Sequence, residues 1–93
     1  MEAHKVYPKP RSIVLNTIYD IIEFQNAKVT FSDTSRGKIN FIVRMYSSKW
    51  EHRLTVTDIG PNQCSVNIEM NQGTIDDDKQ LKLEFALLDS MLI

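Results

Sequence analysis

The sequence predicts a small α+β domain, folded as a two-layer sandwich. Three observations carry that prediction. Residues 28–70 hold four consecutive segments in which apolar and polar side chains alternate with a period of two, separated by turn residues. The flanking stretches 12–26 and 74–92 instead repeat apolar residues at helical spacing. Each helix has one wide apolar stripe and the sheet has one apolar face. The economical packing lays both helices on that face. The expected order is (β)-α-β-β-β-β-α, with an antiparallel sheet of four or five strands in a single domain spanning residues 1–93.

At the start of the chain, Val6 and Tyr7 precede Pro8 and Pro10. A short edge strand fits there, because an edge tolerates the donor that proline lacks. The first helix is expected from about Pro10–Ser12 to Asn26, with Ser12 placed to cap it. Val14, Ile18, Ile21 and Gln25 form its stripe, which Ile13, Leu15 and Ile22 widen. Asn26 suits the left-handed residue that ends a helix.

Four strands are expected next. Val29 and Phe31 share one face of the first, opposed by Lys28, Thr30 and Ser32. Gly37 closes the following turn. Ile39, Phe41, Val43 and Met45 oppose Asn40, Ile42, Arg44 and Tyr46 in the second strand. After a turn at Ser47–Lys49, Trp50, His52, Leu54 and Val56 oppose Glu51, Arg53, Thr55 and Thr57. Ile59 breaks that parity, which predicts a bulge or strand end near Asp58. Gly60-Pro61-Asn62 is a turn. Cys64, Val66, Ile68 and Met70 then oppose Ser65, Asn67 and Glu69. Thr74 is the expected cap of the last helix, with Asp76, Asp77 and Asp78 in its first turn, where the helix dipole favours negative charge. Leu81, Phe85, Leu88 and Leu92 form its stripe, and Leu83, Leu87 and Met91 widen it.

The layout resembles a known group of folds. Val6-Tyr7-Pro8 stands before the helix, Gly37-Lys38-Ile39 opens one strand, Ser48-Lys49-Trp50 the next, and Asp58–Gln63 leads into the last. This order is similar to that of TATA-binding-protein-like and START-type helix-grip domains, and more narrowly to small bacterial domains of unassigned function. The resemblance implies the sandwich fold and brings no catalytic residues with it.

Composition narrows the function classes. Eleven Lys and Arg nearly balance twelve Asp and Glu, giving a net charge of −1. No basic excess points to nucleic acid, so no nucleic-acid partner is expected. One cysteine, Cys64, excludes an intrachain disulfide. It falls at an apolar position with no cationic neighbour to activate it. The polar opening ten residues do not resemble a signal peptide, and no apolar run spans a membrane, so a cytoplasmic protein is expected. His4 and His52 lack zinc-like spacing with a single cysteine, and three adjacent aspartates do not match a calcium loop. No metal site, cofactor or catalytic residue is expected, and the chain reads as a non-enzymatic binding or interaction module. His52 is the one candidate acid or base, and Glu51 beside it points to the opposite face of the strand.

Two surfaces remain. The polar sheet face carries Ile42, Arg44, Tyr46 and Arg53, residue types that suit an interface core. Self-association into a homo-oligomer, a dimer first, through this face or an edge strand is the leading expectation. The alternative is a small apolar ligand held between the sheet and the last helix, in a reduced helix-grip cleft near Met45, Trp50, His52 and Phe85.

Overall fold

A computed structural model describes residues 1–45, 48–70 and 75–92, with the side chains of Met45 and Ile75 excepted. It shows the expected two layers. Strand β1 spans Glu2–Tyr7, helix α1 Arg11–Phe24, β2 Lys28–Asp33, β3 Lys38–Met45, β4 Ser48–Gly60, β5 Gln63–Met70 and helix α2 Ile75–Met91. The antiparallel sheet has the order β1-β5-β4-β3-β2. The first strand therefore lies beside the last, and β1 and β2 are the two edges. Both helices cover one face.

That face is built by alternation. Ile39, Phe41 and Val43 of β3, His52, Leu54 and Val56 of β4, and Cys64, Val66, Ile68 and Met70 of β5 are all buried. They meet Val14, Leu15, Ile18, Ile21 and Ile22 of α1 and Leu81, Leu88 and Leu92 of α2 in one cluster. Burying each such aliphatic side chain contributes about 1.5–3 kcal/mol. The opposite sheet face is open.

Helix α1 ends where Asn26 predicts. Asn26 has φ of 54°, the Asn26 amide donates to the Glu23 carbonyl, and the Ala27 amide donates to the Ile22 carbonyl at 2.9 Å. These bonds satisfy carbonyls that the last turn leaves open. The start of α1 differs from expectation. Ser12 lies inside the first turn and does not cap. Pro10 holds that position, its carbonyl accepting from the Ile13 and Val14 amides, because a proline there needs no donor of its own. Ile13 is exposed rather than part of the stripe, and so are Leu83 and Met91 on α2. The Thr74 cap, and the turn expected at Asn71–Gly73, lie outside the described residues.

Two irregularities shape the sheet. The register of β4 against β5 shifts between Asp58 and Gly60, which places a bulge at Ile59 as its parity break predicts. A second shift, not expected, lies between Val29 and Phe31 in β2. Val29 pairs with Phe41 on the covered face, whereas Phe31 pairs with Asn40 on the open one. Val29 and Phe31 therefore do not share a face. The extra residue, Thr30, reverses the alternation beyond it. Ser32 consequently turns to the helices, where its hydroxyl bonds the Tyr19 phenol. The edge strand β1 is also longer than Val6-Tyr7, pairing six residues with β5. Of the turn expected at Ser47–Lys49, Ser48 and Lys49 belong to β4 and pair with Met45 and Arg44, and Ser47 lies outside the described residues.

Candidate functional site

Three places in this fold carry chemistry beyond packing. The first is a buried polar cluster. His52 is 1% exposed and its ring stacks on Phe41, with centroids 4.5 Å apart and planes 6° from parallel. Its Nε2 lies 3.7 Å from the Glu84 Oε1, and Glu84 is 2% exposed. Neither ring nitrogen completes a hydrogen bond among the described residues. Glu84 accepts from the Gln25 amide at 2.9 Å and from the Gln80 amide at 3.1 Å, so the cluster ties α1, α2 and β4 together. Burial pushes the imidazole down to about 4, against smaller upward pulls from the backbone at Trp50 and Phe41 and from Asp77. Burial pushes the Glu84 carboxyl up to about 7, while the bonds from Gln25 and Gln80 pull the other way. In the band between those values both groups are neutral, which is how a low-dielectric core accommodates them.

This cluster occupies the ground of the expected apolar cleft. Trp50 and Phe85 pack against the core and His52 fills its place on Phe41. The side chain of Met45 lies outside the described residues. In the sequence the leucines dominate the α2 pattern and mask Glu84. The signal was present: Asp77, Leu81, Glu84 and Leu88 recur at spacings of four, three and four, and all four are buried.

The second place is the open sheet face. The register puts Ile42, Arg44 and Arg53 on it together. Ile42 stands across from Glu51 and Lys28, Arg44 across from Lys49, and Arg53 between Asn40 and Glu69. The Arg53 guanidinium donates to the Glu69 carboxylate at 2.8 Å, and Lys49 lies 3.4 Å from Glu51. Tyr46 lies outside the described residues. Beside Arg53 is a groove of about 410 Å³, whose wall is the displaced Phe31 and whose floor includes Asn40, Thr55 and Asn67.

The third place is the β1 edge. Met1 and Met70 exchange both backbone bonds, at 2.7 and 3.0 Å. In an antiparallel ladder such pairs alternate, so Ala3, Lys5 and Tyr7 bond to β5. Glu2, His4 and Val6 turn their amides and carbonyls outward. Lys5 leans to the helix layer, where Asp89 holds it at 2.6 Å, and the Tyr7 phenol donates to the same carboxylate at 2.8 Å. These bonds keep the Asp89 carboxyl below its usual range. Burial and the Asp89 charge push the Tyr7 phenol well up. An open groove of about 490 Å³ runs along this edge, lined by Val6, Tyr7, Pro8 and Leu92 together with Lys5, Lys9 and Asp89.

Comparison with protein-family models gives no match, and the search of curated proteins gives none either. Among the described residues no helix is long and apolar enough to cross a membrane.

Proposed function

We propose that this chain is a non-enzymatic, cytoplasmic interaction module that self-associates by pairing β1 with β1 of a second copy. The carrying observation is the difference between the two edges. Strand β1 pairs residue for residue with β5 over its six positions, without a shift. It therefore presents a straight row of outward donors and acceptors at Glu2, His4 and Val6. A strand added to such an edge gains backbone hydrogen bonds. Edge strands are commonly guarded by lysine or a bulge. The lysine of β1 is drawn away to Asp89, and β1 has no bulge. The neighbouring groove supports the reading, because Val6, Tyr7, Pro8 and Leu92 give an added strand apolar surface to bury along with its backbone.

Molar mass by light scattering behind size exclusion tests this on wild type, His4→Pro and Val6→Lys. Proline at His4 removes an outward donor while leaving the bonds to β5, and lysine at Val6 places a charge on the edge. The expected result is twice 10.8 kDa for wild type and 10.8 kDa for both variants. A wild-type monomer at about 0.1 mM, where even weak dimers form, removes the reading. So does a dimer that survives both substitutions.

A further inference from the structure

The near balance of charge in the chain conceals a separation that the fold creates. On α2, the carboxylates Asp76, Asp77, Asp78 and Asp89 outnumber Lys79 and Lys82. The open sheet face has a mild opposite bias, with Lys28, Arg36, Lys38, Arg44, Lys49 and Arg53 against Glu2, Asp33, Glu51 and Glu69. Arg36 and Arg53 there are paired with Asp33 and Glu69. Lys28, Lys38 and Arg44 share the same face and have no carboxylate partner among the described residues. From Lys38 to Arg44 along β3 is about 20 Å, the reach of a few nucleotides.

The aromatic ring in this face stands out. Phe31 is 49% exposed on a mainly polar surface that it shares with the apolar side chains of Val6 and Ile42. Packing does not require it there. The bulge at Thr30 puts it there, directly on the 410 Å³ groove and beside Lys38. In the same groove Asn40 and Asn67 each offer a donor and an acceptor and Thr55 a hydroxyl, while its two carboxylates, Asp33 and Glu69, are each held by an arginine of the lining, Arg36 and Arg53. A half-exposed ring on β2, amides on β3 and β5 able to read a base edge, and cations on β2 and β3 form the combination that binds unstacked bases and their phosphates.

We infer that the open sheet face binds single-stranded nucleic acid, with one base stacked on Phe31 and the phosphates running along Lys28, Lys38 and Arg44. This goes beyond the proposed self-association and uses a different surface. Whole-chain charge argues against such a partner, but the ligand meets one face, whose charge is opposite to that of α2. A groove of this size admits one ring rather than a duplex.

The test is fluorescence anisotropy with labelled single-stranded RNA and DNA oligomers of about ten nucleotides, in about 50 and 200 mM salt, where phosphate contacts show as a slope. The same oligomers annealed to complements, and a free nucleoside monophosphate as competitor, complete the set. Single strands are expected to bind in the micromolar range, and duplexes at least tenfold more weakly. Phe31→Ala should weaken binding about ten- to a hundredfold. Lys38→Ala should weaken it less and reduce the salt slope by about 0.7. Both side chains are exposed, so the variants fold, and circular dichroism checks that they do. Absence of binding up to about 0.1 mM protein at the lower salt overturns the inference. Unchanged affinity in Phe31→Ala overturns it as well, as does equal affinity for duplex. A free nucleotide that competes as well as the oligomer overturns the single-strand occupant. His4 stands across from Asn67 on this same face, so the two readings are separated by Phe31→Ala, which lies on the far edge strand β2 and should weaken oligomer binding while leaving the molar mass unchanged.

Discussion

Replacing Gly37 with alanine is expected to destabilise the protein by at least about 3 kcal/mol, more than an ordinary surface substitution. Gly37 has φ of 69° and closes the Thr34–Arg36 turn before β3. A side chain there costs about 1–2 kcal/mol from the left-handed conformation alone. The larger cost is spatial. A Cβ on Gly37 stands 2.2 Å from the Val56 carbonyl oxygen, which is backbone of a central strand and cannot swing aside. The neighbouring bond from the Val56 amide to the Gly37 carbonyl, at 2.7 Å, fixes the two chains at this separation. Relief requires moving β4 or giving up that bond. Urea unfolding of wild type and Gly37→Ala measures the cost directly. A midpoint within error of wild type would show that the turn relaxes without disturbing β4.

The second large effect is a change in how stability depends on pH, produced by Glu84→Gln. Burial raises the Glu84 carboxyl from 4.5 to about 7, so the folded state keeps a proton that the unfolded chain releases. Stability is therefore lost as pH rises through that interval, by on the order of 3 kcal/mol. His52 has the opposite sign. Its imidazole is lowered from 6.5 to about 4, so stability is lost as pH falls through that interval, by a similar amount. In the wild type the two changes offset between pH 4.5 and 6.5, and this pair contributes a flat profile there. Glutamine cannot ionise, so the variant keeps only the histidine arm. Its stability should climb from pH 4 to 6.5 and then hold, leaving it more stable than wild type at pH 8. Chemical denaturation at five or six pH values gives both curves. Parallel profiles would mean that Glu84 is ionised in the fold at neutral pH.

Much of the architecture was legible because period-two alternation is strong wherever one face is buried. β3, β4 and β5 follow it without exception among their buried positions, and the parity break at Ile59 marked a real bulge. The bulge in β2 had no such mark. Val29 and Phe31 alternate perfectly in sequence, and only the register against Phe41 and Asn40 shows that they part. Strand β1 was underestimated for another reason. Its covered face consists of Ala3, Lys5 and Tyr7, and a lysine reads as solvent-facing until Asp89, distant in sequence, receives it. The same holds for α2, where Glu84 looks like a surface residue until His52 and Gln25 are brought to it. Of the surface residues singled out in the sequence, Ile42, Arg44 and Arg53 do share a face, because the two-residue period holds within an unbroken strand. Phe31, the aromatic beside them, depends on the bulge and was out of reach.

The bulge at Thr30 also bears on stoichiometry. A sheet that can grow at both margins polymerises, while one with a single competent margin stops after one joining event. Two copies meeting through β1 would leave only their β2 margins outward, each interrupted at the middle of a six-residue strand. A third copy would find no straight ladder to extend. Under the proposed pairing an inserted residue, rather than a capping element, would end assembly at two, and deleting Thr30 would convert a closed pair into a seed for fibres.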